Sequence, residues 1–181
     1  MMNKIETKKL LLYIFIVAVL FLLPICTIIV NTDTLEGGNE FLFKVEAFDP
    51  YDMFRGNYLD IDFLEDSVNN DETYDMNYGE RCYATIKIRE DGFAYFDKLT
   101  QERPRDTSDY YETTARYGGM INTPTRYYMN ENKSLDAEKV YEENLDNTYV
   151  KVRVKNGKMV IAGVFVDGVL IDTIEPQENK H

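Results

Sequence analysis

The chain has no tryptophan and a single histidine, His181, its last residue. Without a histidine in the body, Ser-His-Asp and Cys-His nucleophile systems and histidine-ligated zinc have nothing to be built from. Cysteine is nearly as scarce. Cys26 lies in an apolar run and Cys82 in the body of the chain, so the two are not placed to pair and no disulfide framework exists. Cys82 is expected as a buried strand residue, not a reactive thiol. Basic charge is the third shortage, with 20 Lys and Arg against 32 Asp and Glu and a net charge of −12. The first thirty residues hold Lys4, Lys8 and Lys9 against Glu6, which leaves −14 on residues 31–181. An acidic surface of that size repels polyanions, so no nucleic-acid partner is expected.

Against these shortages stands one long uncharged run. Residues 10–30, LLLYIFIVAVLFLLPICTIIV, match the roughly 20 apolar residues that cross a bilayer core. No small-residue cleavage site follows, and Ile25 before Cys26 spoils a lipoprotein box, so the run reads as an uncleaved transmembrane anchor, Leu10 to Val30. Pro24 is expected to bend it without breaking it. The lysines before the span put the N-terminus in the cytoplasm and the remaining domain outside, as a single-pass protein of the cell membrane. The division is therefore a basic cytoplasmic tail at 1–9, the anchor at 10–30, a polar linker at 31–40 with a glycine pair, an extracytoplasmic domain at 41–176 and a tail at 177–181.

The domain reads as strands. Phe41, Phe43, Val45 and Ala47 share one face of the first. Asp49-Pro50 marks a turn, Gly56 a position of unusual backbone freedom, and Leu59, Ile61 and Phe63 then alternate with Tyr58, Asp60 and Asp62. Residues 65–80 are acidic, lack period and lack the ligand spacing of a calcium loop. A hairpin follows, with Cys82, Ala84, Ile86 and Ile88 inward and Asp91-Gly92 at its turn. After a charged loop at 101–108, residues 109–117 form a strand with Tyr111, Thr113, Ala115 and Tyr117 on one face, and 125–129 another. Ser134 caps a helix over 134–145 that buries Ala137, Tyr141 and Leu145. Val150, Val152 and Val154 lead to Asn156-Gly157, Met159 to Val166 lead to Asp167-Gly168, and Val169 to Ile174 finish, both dipeptides being two-residue hairpin signals. The fold class is β-rich α+β: a single antiparallel domain of about eight or nine strands, partly rolled, with one packed helix.

The stretch Gly56-Asn57-Tyr58-Leu59-Asp60-Ile61-Asp62-Phe63 resembles the bacterial family named for its Gly-Asp-Tyr-x-x-Leu-x-Tyr motif, GDYXXLXY. Asn57 replaces the motif's Asp, Ile61 its Leu and Phe63 its second Tyr. Asp49-Pro50 and Arg55 before it, Arg126-Tyr127-Tyr128 through Glu131, and Asp167-Gly168 in the closing strands agree with the family's order, so the resemblance covers nearly the whole chain. It implies a membrane-anchored bacterial protein without an established activity, a companion of polytopic membrane proteins. Were the motif's Asp catalytic or metal-binding in the family, Asn57 would weaken that role here.

The residues thus point to a non-catalytic accessory module for another integral membrane protein, held in the lipid bilayer by its helix. Its contact corner is Arg55, Asn57 and Tyr58, within a motif that also holds Asp49, Pro50, Gly56, Ile61 and Phe63; the same stretch also reads as a structural turn into a core strand. The alternative is a binder of an extracellular ligand or cell-wall polysaccharide through Tyr110-Tyr111 and Tyr127-Tyr128, each pair offering one outward ring. A hydrolase is the weakest reading. Asp60 and Asp62 share a side of their strand, but carboxylates are abundant here. The proline-preceded motif also looks like the region after a signal-peptidase nucleophile, yet Ala47 stands where that serine would be. No catalytic residue, metal site or cofactor is expected.

Overall fold

The computed structural model describes residues 4–46, 58–64, 66–68, 76–130, 137, 140–141 and 143–173. It opens with helix α1, Lys4–Gly37, which carries Pro24 in its interior without a break. None of its apolar window is buried within the protein, so this is one helix long and apolar enough to cross a membrane. A free-standing apolar surface of that length is stable only in lipid or against a partner, consistent with single-pass membrane anchoring.

The helix does not stop where the apolar run stops. Residues 31–40, read from sequence as a linker, continue α1 through Gly37 and enter a strand at Asn39. The reason is tertiary: the last turns are docked on the domain. Thr34 is buried, and its Oγ1 donates to Val30 O at 2.8 Å. Lys155 Nζ pairs with Asp33 Oδ1 at 2.7 Å, and Arg153 Nη1 donates to Gly38 O at 3.0 Å. A Cβ on Gly38 would sit 2.5 Å from Thr34 O and 3.0 Å from Val154 O, so only glycine lets the chain leave the helix so close to its neighbour strand.

Ten strands follow among the described residues: β1 (Asn39–Glu46), β2 (Tyr58–Asp60), β3 (Asp62–Phe63), β4 (Arg81–Ile88), β5 (Ala94–Thr100), β6 (Tyr110–Thr114), β7 (Arg126–Tyr128), β8 (Thr148–Lys155), β9 (Lys158–Val166) and β10 (Val169–Leu170). The β-rich α+β layout is the expected one, but the strands are shared among three antiparallel sheets and none closes into a barrel. The largest has the order β10-β9-β8-β1-β3, the second β5-β4-β6 and the smallest β2-β7. A parallel bridge from Tyr111 to Gly157, with Glu112 N donating to Gly157 O at 2.8 Å, stitches β6 to the β8–β9 turn.

The alternations seen in sequence supply the core. Phe41 and Phe43 of β1 face Val152 and Val150 of β8 across the ladder, Val45 faces Phe63 of β3, and Phe43 packs on Phe63 and Phe96 at 5.3 and 5.1 Å. Both two-residue turns form as expected. Asn156 and Asp167 have φ of 51° and are followed by Gly157 and Gly168 at 82° and 80°, the left-handed pair that matches strand twist.

Several expectations shift. Ile88 was expected inward and is 58% exposed, because β4 ends there and Arg89 N turns to Phe93 O at 2.8 Å beyond the edge of the core. Tyr117 likewise leaves the inward face: β6 stops at Thr114, and residues 117–119 form a short 3-10 turn around Gly118 at φ 73°. The last strand is only Val169–Leu170, after which Ile171–Thr173 coil into a 3-10 turn. Of the helix expected over 134–145, residues 137, 140, 141 and 143 are described and helical. Ala137 and Tyr141 are buried, and the Tyr141 hydroxyl donates to Glu46 O at 3.0 Å. Leu145 packs half-buried at the head of a 3-10 turn, Leu145–Asn147. Ser134 lies outside the described residues.

Candidate functional site

The motif strand changes partner halfway along. Tyr58, Leu59 and Asp60 pair with Tyr128, Tyr127 and Arg126, whereas Asp62 and Phe63 pair with Glu46 and Val45. Ile61 is the switch, its N–H donating to Thr125 O at 2.7 Å. A strand serving two sheets needs its apolar face held in the seam between them, and Leu59, Ile61 and Phe63 are all buried. Ile61 and Phe63, two of the proposed motif residues, are therefore core. Asp49, Pro50, Arg55, Gly56 and Asn57, like Ala47, lie outside the described residues, so the near half of the corner is not placed.

Its far half is Tyr58. The ring lies 5.8 Å from that of Tyr128, and the Arg126 guanidinium sits 4.7 Å above it. Arg126 stands opposite Asp60 in the ladder. A hydrogen bond with Tyr128 raises its pKa further above the ordinary arginine value. Tyr128 is exposed and Tyr58 half-buried, so the three side chains form a small cation-aromatic surface with both donors and ring faces. Behind it, Tyr127 points inward and donates from its hydroxyl to Asp172 Oδ2 at 2.6 Å; desolvation, reinforced by this hydrogen bond, raises its pKa.

On the polar side of β3 three carboxylates converge. Desolvation raises Asp62, Asp66 and Glu46 above their ordinary pKa values; repulsion from Asp62 and Asp66 adds to Glu46, from Asp62 to Asp66, and from Asp60 to Asp62. Arg116 opposes this for the two aspartates, lying 3.6 Å from Asp66 Oδ2. Among the described residues no group of three or more Asp, Glu, His or Cys is arranged to hold a metal. Cys82 is fully buried, and desolvation with a contribution from Glu80 pushes its thiol up to about 11, the chemistry of a core residue.

The two tyrosine pairs singled out in sequence differ. Tyr110 is buried and Tyr111 half-buried against the core, so that pair presents no open ring, whereas Tyr128 supplies one from the second pair. Another exposed aromatic feature has no counterpart in the sequence reading: Tyr78 and Tyr117, 63% and 77% exposed, stack on each other at 5.1 Å and 25°. Each directly precedes a glycine with positive φ, Gly79 and Gly118, and Gly79 N donates to Ala115 O at 2.8 Å. That Tyr-Gly repetition was the available signal. The switch at Ile61 had none, because both halves of the strand keep one alternation.

A comparison with curated proteins and one with solved structures each gave no match. A family model described as GDYXXLXY protein matches residues 20–164, from the second half of α1 into β9. That match covers most of the chain, which belongs to the GDYXXLXY family.

Proposed function

We propose that this protein is a membrane-anchored, non-catalytic accessory module that engages another integral membrane protein at the motif corner. The observation that carries the reading is the Tyr58–Arg126–Tyr128 surface, presented by a domain docked on an apolar helix. Tyrosine and arginine are the residues that contribute most at protein contacts, because rigid amphipathic side chains lose little entropy there. Docking α1 to the domain limits how far the corner ranges over the bilayer, which lowers the ordering cost of binding. Lys4, Lys8 and Lys9 before the span support an orientation with the N-terminus in the cytoplasm and the domain outside. The test is a mild-detergent pull-down of the tagged full-length protein beside Tyr58→Ala/Arg126→Ala. A membrane protein recovered with the parent and lost with an equally heat-stable variant is the expected result. Equal recovery with both would sink the contact corner.

The stacked Tyr78–Tyr117 pair supports a second reading, an extracellular polysaccharide ligand resting on its rings. Co-sedimentation with cell-wall polysaccharide that Tyr117→Ala abolishes would favour this reading over the first.

A further inference from the structure

The docking of α1 sets where the rest of the domain stands relative to a bilayer. Asp33 is three residues past Val30, the end of the apolar run, which is about 4.5 Å along the helix axis. The polar layer of a bilayer extends about 5–7 Å beyond the hydrocarbon on each side. Lys155 is paired to Asp33 at 2.7 Å, so the tip of the β8–β9 hairpin stands beside the headgroup layer. The neighbouring loop is held to that tip. Asn39 Nδ2 donates to Asp109 Oδ1 at 2.6 Å, and Glu112 N donates to Gly157 O at 2.8 Å.

Between tip and loop lies an open concavity of about 700 Å³, lined by Glu102, Arg103, Arg105, Asp106, Ser108 and Asn156 among others. Seven basic residues elsewhere in the domain, Lys44, Arg81, Lys87, Arg116, Lys151, Arg153 and Lys155, sit in ion pairs, whereas Lys98 and Lys158 join none among the described residues. Neither Arg103 nor Arg105 has a carboxylate partner among the described residues, and Arg103 is steadied only by the face of Tyr110, 5.2 Å away. Two guanidiniums and a hydroxyl suit a phosphate diester. Two carboxylates in the same hollow cancel that charge, and the domain carries a large negative charge, so an anionic lipid gains little there. A primary ammonium beside the phosphate satisfies both halves.

We propose that this concavity seats the headgroup of a zwitterionic aminophospholipid, with the phosphate on Arg103 and Arg105 and the ammonium at Glu102 and Asp106. The inference goes beyond the accessory reading and shares with it only that α1 crosses the bilayer. The test uses the full-length protein in nanodiscs of phosphatidylcholine alone, or of phosphatidylcholine with an equal mole fraction of phosphatidylethanolamine or of phosphatidylglycerol. Amide exchange over 101–109 is expected to be about fivefold slower with phosphatidylethanolamine, the size of one added hydrogen-bonded contact, and to return to the phosphatidylcholine rate in Arg103→Ala/Arg105→Ala. Equal rates in all three discs, equal slowing by phosphatidylglycerol, or slowing that survives the double substitution each overturn it. Release of the protein from membranes by alkaline carbonate also overturns it, by removing α1 from the bilayer, and that outcome is distinguishable from a failure of the site.

Discussion

Lys155 Nζ and Asp33 Oδ1 lie 2.7 Å apart although the residues are 122 positions apart in the chain. This pair joins the end of the membrane-length helix to the tip of the longest hairpin, and with the buried Thr34 it makes helix and sheet one body. The ion pair is partly exposed, so its own contribution is small, about 0–1 kcal/mol. The close approach at Gly38 matters more.

Gly38→Ala is therefore expected to cost more than Lys155→Ala. A methyl 2.5 Å from Thr34 O cannot be accommodated without shifting backbone, and strain of this kind costs about 1–3 kcal/mol. Thermal unfolding in detergent, with amide exchange over 31–38, checks the order. A Gly38→Ala protein as stable as the parent would show that the helix end is not tightly docked.

Cys82 should resist thiol reagents. In a Cys26→Ala background at pH 8, labelling is expected to be slow while the protein is folded and fast in denaturant, because the thiol is buried and its pKa is pushed up to about 11. Fast labelling of folded protein would contradict the burial.

Asp62 should make the fold less stable at neutral pH than in mild acid. Its pKa is raised by desolvation above the ordinary 3.8, so the folded state binds the proton more tightly than the unfolded state does. Stability from this group is complete below 3.8 and is lost as pH rises through the folded-state value. Asp62→Asn should raise the melting temperature at pH 7 and change it less at pH 4. A larger gain at pH 4 would reverse the sign and refute the assignment.

Tyr127→Phe removes the hydroxyl that reaches Asp172 at 2.6 Å and ties β7 to the segment after β10. Loss of a part-buried hydrogen bond to a carboxylate is expected to cost about 1.5–3 kcal/mol. Denaturant unfolding measures it, and a change under 0.5 kcal/mol would make the contact incidental.

Much of the fold was legible because its signals are local. Asn156-Gly157 and Asp167-Gly168 adopt the left-handed turn that two-residue hairpins require, and the alternating valines of β8 bury the expected side. Ile88 and Tyr117 kept the alternation in sequence yet fell outside the core, because where a strand ends depends on its partners and not on its own period. The site was less legible. Tyr58 was singled out, but its companions Arg126 and Tyr128 are brought to it by a pairing between segments far apart in the chain.

Local chemistry by itself determined a membrane-length helix, the hairpin turns, the identity of most core residues and the lack of histidine chemistry in the body of the chain. Each follows from the length, period or type of neighbouring residues, which act over one turn or one strand. Only the tertiary structure decided that residues 31–37 are helix and not linker, that the motif strand divides between two sheets at Ile61, and that Arg103 and Arg105 face a hollow beside the end of the helix. Those outcomes depend on contacts between distant segments, whose energies no local pattern encodes.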